Sequence, residues 1–323
     1  MLARLPVMMG LALAATLSGC ASAGKDHAAT LAGIDLPNRY AAAPADAGPA
    51  VRCDRSSWPG LFGDELLSDL AGRAAPASAQ ADVATGYVVV RLNQARITEA
   101  HARLARLSDL QQLALYRARA GLVTDRDRLQ IEAEQARIAA TLPLLDAAIL
   151  SAAARIAVLT GTGPEDVHAR LAAPAAIPAG PAYIGVGQPA DLIAQRDDVR
   201  AATRWFDATG WLPGGSKASA RKYRRSILLA QAEVETALAG FEGAKAREVA
   251  LLEAIARSEA LADLVRRQYR DGLADYTALA AVDSMLDSTR GDLNEARAAR
   301  ARSLIALCLA LGRDRAEGTD NGG

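Results

Sequence analysis

Two related stretches decide the fold of this chain: Tyr116-Arg117-Ala118-Arg119-Ala120-Gly121-Leu122 and Arg267-Gln268-Tyr269-Arg270-Asp271-Gly272-Leu273. Their glycines, Gly121 and Gly272, lie 151 residues apart. Forty residues after each comes another glycine that ends an apolar run, Gly161 in the first case and Gly312 in the second. Two landmarks that keep the same spacing indicate an internal duplication.

Each copy has the apolar spacing of a coiled-coil helix, with steps of three and four residues. The first copy shows it at Leu142, Leu145, Ile149, Ala152, Ile156 and Leu159, and the second begins it at Tyr276, Leu279, Val282 and Leu286. We therefore predict an all-α fold of two tandem, long antiparallel helical hairpins. The helices are expected over residues 82–119 and 125–160, and over 218–270 and 276–312. Gly121 and Gly272 mark the turns, because glycine readily adopts the left-handed conformation that ends a helix.

The composition agrees with a helical protein and argues against several classes of function. Hydrophobic residues make up 51% of the chain but aromatic residues only 4%, so most of the apolar content is alanine and leucine, which favour helices. The formal net charge is zero, which argues against an attraction of the chain as a whole to DNA, RNA or anionic lipid. Three histidines and three cysteines are scattered along the chain and form no metal-ligand pattern. We predict no enzyme activity, no catalytic residue, no metal and no bound cofactor.

The N-terminus has the pattern of a bacterial export signal. Arg4 precedes an apolar run over residues 5–16, which is shorter than a membrane-spanning helix. The run ends in Leu17-Ser18-Gly19-Cys20, which resembles the lipobox of bacterial lipoproteins. The resemblance implies cleavage before Cys20, diacylglycerol and an N-acyl chain on that cysteine, and, since Ala21 follows, the outer membrane. The alternative is an ordinary signal peptide with an unmodified Cys20.

Breaks in the helical pattern divide the chain into six predicted segments. These are a signal peptide over 1–19, a lipidated tether over 20–57, a first repeat over 58–172, a Pro/Gly-rich linker with a short helix over 173–216, a second repeat over 217–313, and a tail over 314–323. Cys53 falls near the end of the tether and Cys308 in the last helix, so a disulfide between them is one possibility that the sequence leaves open.

Several motifs together resemble the TolC-type outer-membrane efflux factors, in particular NodT-like lipoproteins. They are Trp58-Pro59-Gly60-Leu61-Phe62-Gly63-Asp64-Glu65-Leu66, the passage over 188–202, the closing stretch over 307–312, and the two hairpin turns. In the family pattern a proline usually stands where this chain has Asp197. Matching stretches extend from about residue 58 to residue 312.

This resemblance implies a homotrimeric conduit that exports small solutes or drugs across the outer membrane. It would work with a periplasmic adaptor, also called a membrane fusion protein, and an inner-membrane pump of the resistance-nodulation-division type. The body of the protein would lie in the periplasm, held to outer-membrane lipid through Cys20. The hairpin tips would dock the adaptor, and the residues carried over to that role are Gly121, Leu122, Val123, Thr124, Gly272 and Leu273.

Two departures from the family pattern predict an internally shortened member. The family has strand hairpins where this chain leaves only short gaps, between Leu70 and Val83 and between Thr203 and Ala220. Ala281 stands where members often place an aspartate that narrows the channel entrance, and we expect nearby Asp283 on another helical face. We also expect no apolar run after residue 20 that is long enough to span a membrane, and no pore formed by this chain alone. The alternative function is a pore-less periplasmic coiled-coil lipoprotein that serves only as an interaction or structural module.

Overall fold

A computed structural model of the protein describes residues 35–44, 51–53, 57–119, 125–209 and 215–312. The helices are α1 Glu65–Gly72, α2 Ala77–Arg119, α3 Asp125–Ala139, α4 Leu142–Thr160, α5 Pro164–Leu171, α6 Leu192–Gln195, α7 Asp197–Thr209, α8 Gly215–Arg270 and α9 Tyr276–Leu311, with 3₁₀ turns at Trp58–Phe62 and Pro189–Asp191. Within these ranges the only β-pairing is an isolated bridge between Val51 and Ile184. The all-α prediction is therefore confirmed. The predicted signal peptide and Cys20 lie outside the described residues.

The chain divides into two compact units. The larger unit comprises Tyr40–Gly187 and Ala232–Gly323, and the smaller comprises Met1–Arg39 and Gln188–Gln231. The larger unit holds the two helical hairpins, apart from the first residues of α8. The predicted linker over 173–216 is thus divided between the units. Its short helix is two helices, α6 and α7, separated at Arg196, whose backbone is extended.

Helix α2 lies at the centre of the larger unit, where it packs against α1, α3, α4 and α9. Helices α8 and α9 run antiparallel, as their ion pairs show: Arg247–Asp292 at 2.7 Å, Glu248–Arg297 at 3.0 Å and Glu259–Arg290 at 2.6 Å. From Glu248 to Glu259 to Arg266 along α8, the partners on α9 descend from Arg297 to Arg290 to Asp283. The two helices therefore form a continuous hairpin.

The predicted apolar seams face the interior. Ile149, Ala152 and Ile156 of α4 are buried, and so are Leu279 and Leu286 of α9. Burying each such leucine or isoleucine side chain stabilises the fold by roughly 1.5–3 kcal/mol. Packing of these seams, rather than helix propensity alone, therefore holds the long helices together.

The returning helix of the first hairpin is broken, so the prediction of one helix over 125–160 is wrong in this detail. Helix α3 ends at Ala139 and α4 begins at Leu142. The cause is Pro143, which has no N–H to donate to the carbonyl of Ala139 and therefore interrupts the helical hydrogen bonds. A turn at Ala140 and Thr141 joins the two parts, and the second helix starts with Pro143 in its first turn.

A buried polar network fixes the end of α2 that lies far from the hairpin turns. The Tyr87 hydroxyl donates to the carboxylate of Asp64 at 2.6 Å, and Arg91 donates to the Tyr87 oxygen at 2.8 Å and to the carbonyl of Ala173 at 2.7 Å. Burial, followed by the hydrogen bond to Asp64, raises the pKa of Tyr87 to about 12. The network joins the N-cap of α1, the body of α2 and the segment after α5.

Residues 40–44 and 51–53 of the predicted tether belong to the larger unit and pack within it. Tyr40 is fully buried, and the backbone N–H groups of Ala41 and Ala42 donate to the Glu235 carboxylate at 2.7 and 3.1 Å. Val51 forms the bridge to Ile184. These residues of the predicted tether are therefore held within the folded body by Tyr40, Glu235 and the bridge at Val51.

The structure contains the disulfide that the sequence left open. Cys53 and Cys308 are bonded, their Cα atoms lie 5.1 Å apart, and both side chains are buried. That separation lies within the range of ordinary disulfides. The bond joins the N-terminal segment to the last helix, and it fits an oxidising compartment outside the cytoplasm.

One stretch of the chain is long and apolar enough to cross a membrane, judged by length and composition alone. It runs over Asp125–Thr160 and contains an 18-residue window with a mean hydropathy of 1.8. The prediction that no such run follows residue 20 is therefore wrong. In the structure the seam side of α4 packs against α2, so this stretch is part of the helical body.

Candidate docking site

The turn between α8 and α9 is a Schellman motif centred on Gly272. The N–H of Leu273 donates to the carbonyl of Gln268 at 2.8 Å, and the N–H of Gly272 donates to that of Tyr269 at 3.2 Å. Gly272 has a φ of +78°, in the left-handed region where a side chain would be strained. Gly272 therefore ends the helix as predicted from the sequence.

The next helix, α9, is capped by Asp275, the residue that precedes it. The carboxylate of Asp275 accepts from the N–H of Ala278 at 2.8 Å, which satisfies one of the unpaired donors of the first turn of α9. Tyr269 and Tyr276 stand on either side of the turn with their ring centroids 6.4 Å apart in an edge-to-face arrangement. Both rings are buried, so the turn packs against this pair of tyrosine rings, which we call the aromatic base.

Leu273 points away from this base and is 78% exposed. In a Schellman motif the residue at this position often packs back on the helix, which would hide it. Tyr116, near the end of α2, is also strongly exposed. The tip therefore presents large apolar side chains to solvent. The predicted first-turn residues Gly121, Leu122, Val123 and Thr124 lie outside the described residues.

Arg117 connects the first hairpin to the turn of the second. Its guanidinium lies over the Tyr269 ring, 5.0 Å from the centroid. A Cβ atom added at Gly272 would lie 3.3 Å from an Arg117 nitrogen, so the arginine also closes over the turn. A cation over an aromatic face contributes about 0.5–1 kcal/mol at exposed sites. The end of α2 and the second turn thus form one surface.

Beneath this surface all four tip helices share an apolar core. It is made by Leu107 and Ala114 of α2, Ile131 and Ile138 of α3, Tyr269 of α8, and Tyr276 and Leu279 of α9. Because both hairpins contribute to the same core, a shift of the helices in one hairpin must be accommodated by those in the other.

A layer of ion pairs crosses the hairpins farther from the tip. Arg103 contacts Glu134 at 2.5 Å and Asp287 at 3.2 Å, while Arg106 contacts Asp287 at 2.7 Å and Arg137 contacts Glu134 at 2.7 Å. Arg103 thereby joins α2 to both α3 and α9. These side chains line an open groove of about 520 Å³. Breaking partly buried pairs costs more than breaking fully exposed ones, which contribute about 0–1 kcal/mol.

The electrostatics of this layer favour a charged Glu134 and a neutral Tyr276. The hydrogen bond from Arg137 holds the pKa of Glu134 below its usual value. Burial raises the pKa of Tyr276 to about 12. At neutral pH the acidic and basic groups of the groove are thus paired with each other.

Ala281, which stands where the family often has an aspartate, and nearby Asp283 have different environments. Asp283 accepts from Arg266 of α8 at 2.6 Å, so it stabilises the second hairpin. Ala281 is exposed on α9. No group of three or more potential metal ligands occurs within the described ranges.

Sequence reasoning missed Arg117 and the Arg103 layer. In the alignment of the two repeats Arg117 corresponds to Gln268, so the duplication itself hides its role. A usable signal in the sequence is the pair of tyrosines, Tyr269 and Tyr276, which lie seven residues apart on either side of the turn glycine.

Comparison with known proteins finds a family model that matches part of the chain. Residues 215–313 match the family model "Outer membrane efflux protein". The chain is 32% identical over 123 residues to Nodulation protein T of Rhizobium leguminosarum bv. trifolii, covering 38% of this chain and 26% of that protein. It is 33% identical over 139 residues to Fusaric acid resistance protein FusA of Burkholderia cepacia, covering 41% and 25%. The matched stretches thus span about a quarter of these relatives.

Solved structures show the same fold over most of the chain. The outer-membrane channel OprN matches with a TM-score of 0.67 at 20% identity, over 90% of this chain and 83% of OprN. The outer membrane protein VceC of Vibrio cholerae matches with a TM-score of 0.62 at 19% identity, over 90% and 76%. The resemblance to TolC-type outer-membrane efflux factors predicted from the sequence is therefore confirmed.

Proposed function

Since the chain is a relative of the TolC-type outer-membrane efflux factors, we propose that it is the outer-membrane component of a tripartite efflux system. It would export small solutes or drugs together with a periplasmic adaptor and an inner-membrane pump of the resistance-nodulation-division type. The matched family is one of efflux proteins and not of enzymes. The observation that carries the proposal is the tip: a rigid turn at Gly272 that exposes Leu273.

The proposal includes an anchor and an assembly. Diacylglycerol and an N-acyl chain on Cys20 would hold the protein at the outer membrane, since two or more acyl chains are needed for stable attachment. Three copies would assemble side by side. The buried disulfide between Cys53 and Cys308 supports a location outside the reducing cytoplasm.

Docking would take place at the paired tips, since a helix turn with an exposed apolar side chain offers a compact contact. Leu273 would insert between adaptor side chains, and the predicted first-turn residues Gly121 to Thr124 would share in docking. Arg117 would keep the turn in shape through its contact with Tyr269. When a side chain becomes buried at a protein interface, truncating it costs more than about 1 kcal/mol of binding free energy at the few positions that dominate the affinity.

The experiment introduces a photo-cross-linking amino acid at Leu273 in cells that express the cognate adaptor. Leu144 of α4, which is 72% exposed, is the matched control because it is an equally accessible leucine away from the tip. We expect a cross-link to the adaptor from position 273 and none from position 144. Gly272→Pro should weaken the cross-link, because proline cannot adopt the positive φ of that position.

Export is measured separately, as drug accumulation in a strain that lacks its own outer-membrane component. Cross-linking together with restored export supports the full proposal. Cross-linking without export supports the alternative function, an interaction module without transport. Equal cross-linking from positions 273 and 144, in folded protein, refutes tip docking.

A further inference from the structure

The smaller unit contains a short helical hairpin with an uneven charge distribution. It is formed by α7 and by residues 215–231, the first part of α8. Residues 215–231 include five basic side chains and no acidic one: Lys217, Arg221, Lys222, Arg224 and Arg225. The whole chain, in contrast, has a formal charge of zero. Positive charge is therefore concentrated in this hairpin.

The inner side of the hairpin is a packed apolar surface. Val199 and Phe206 of α7 and Tyr223 and Ile227 of α8 are buried. The Phe206 and Tyr223 rings stack with their centroids 5.5 Å apart and an interplanar angle of 16°. This packing fixes which residues of α8 face outward.

The outward surface combines basic and apolar side chains. Lys222, Arg224 and Arg225 are exposed, and Leu228 and Leu229 follow one turn later with 47% and 52% exposure. Positions 222, 225 and 229 are spaced by three and four residues, so they lie on one side of the helix. At about 1.5 Å per residue, the surface extends roughly 10 Å along α8. We call residues 222, 224, 225, 228 and 229, together with Trp205, the basic hairpin face.

Trp205 adds an aromatic group at the same place. Its side chain is 39% exposed, and the Lys222 ammonium lies 4.6 Å from its ring centroid. The acidic residues at the start of α7 have partners of their own, because Asp198 pairs with Arg196 at 2.8 Å and Asp197 pairs with Arg200. The carboxylates of Asp197 and Asp198 therefore do not neutralise the positive charge of the basic hairpin face.

We propose that the basic hairpin face binds the surface of an anionic phospholipid membrane. Ammonium and guanidinium groups would contact lipid phosphates, the indole would lie at the level of the head groups, and the two leucines would reach the acyl boundary. A soluble polyanion would use the charges but would leave Leu228 and Leu229 exposed to water. This contact is separate from the acyl anchor on Cys20 and does not depend on the export role.

The test is vesicle flotation of the full chain carrying Cys20→Ser, which removes the acyl anchor from every sample. Vesicles of phosphatidylcholine alone are compared with vesicles that also contain phosphatidylglycerol. The test variant is Lys222→Gln/Arg224→Gln/Arg225→Gln. The matched control, with the same loss of charge at exposed arginines elsewhere, is Arg126→Gln/Arg155→Gln/Arg257→Gln.

We expect binding to the anionic vesicles that falls as salt is added, since the attraction is screened. Three basic residues at a membrane surface account for on the order of one hundred-fold in affinity, so the test variant should lose about that much and the control little. Leu228→Gln/Leu229→Gln should also weaken binding. Circular dichroism is used to check that every variant keeps the helix content of the parent protein.

Three results would overturn the inference. The first is equal binding to both kinds of vesicle. The second is an equal loss in the test and control variants. The third is tight binding of heparin that competes with the vesicles, combined with no effect of the two leucine substitutions, which would identify the face as a site for a soluble polyanion.

Discussion

The disulfide between Cys53 and Cys308 should contribute a large part of the stability of the larger unit. The bond joins residues separated by 255 positions. In the loop-entropy account a closed loop of that length stabilises the folded chain by roughly 5.5 kcal/mol at 25 °C, and native disulfides lost by substitution cost about 2–5 kcal/mol. We therefore expect Cys53→Ala/Cys308→Ala to lower the free energy of unfolding by about 3 kcal/mol. Alanine is preferred to serine because both positions are buried and a hydroxyl there would need a partner.

The assay is urea unfolding followed by circular dichroism, on the oxidised protein, on the protein with reductant, and on the double alanine variant. With a urea m-value of about 3 kcal/mol/M, the midpoint should fall by roughly 1 M in the last two samples. The double variant is its own control, because reductant should not change its midpoint further. Identical midpoints for oxidised and reduced protein would refute the argument. So would alkylation of both cysteines in denatured, unreduced protein.

Three further outcomes are expected. Cys20→Ser should abolish acylation and release the protein from the outer membrane, as mass spectrometry of the mature N-terminus and cell fractionation would show; a wild-type N-terminus without lipid contradicts this. Gly180→Ala should lower the free energy of unfolding by about 2–4 kcal/mol, because φ there is +66° and the new Cβ would lie 2.3 Å from a Leu304 methyl, whereas Gly60→Ala meets nothing and should be neutral in the same urea titration. Folding lowers the pKa of Glu134, so the charged carboxylate contributes to stability at pH values above its pKa in the unfolded chain, and this contribution is lost as the pH falls through its folded pKa. Glu134→Gln should therefore flatten the acid side of a plot of the urea midpoint against pH. An unchanged acid side would exclude a contribution from Glu134 to stability.

The helix bounds were predictable because local signals agreed with the packing. The second hairpin was expected over 218–270 and 276–312 and is found over Gly215–Arg270 and Tyr276–Leu311. A seam with steps of three and four residues identifies the buried side of a helix, and a glycine between two such seams identifies the turn. Both signals lie within a few residues of the feature they predict.

The errors arose where a local signal was outweighed or where partners were distant. Pro143 lies inside the seam that begins at Leu142. The apolar periodicity of that seam predicts an unbroken helix, but the proline interrupts the helical hydrogen bonds. The partners Cys53 and Cys308, and Arg103 and Asp287, are brought together only by the tertiary fold. Residue spacing along one helix carries no information about which residue of another hairpin will lie opposite.

The duplication has diverged in a way that couples its two copies at the tip. Arg117 of the first copy covers the Tyr269 ring of the second, while the equivalent of Arg117 in the second copy, Gln268, contributes its carbonyl to the turn itself. The same residue position thus shapes the turn from inside in one copy and supports it from outside in the other. Because Tyr269 also belongs to the core shared by all four tip helices, the second turn cannot be displaced without disturbing the first hairpin. If an adaptor docks at Leu273 as proposed, the end of α2 and the second turn would form one contact surface for it.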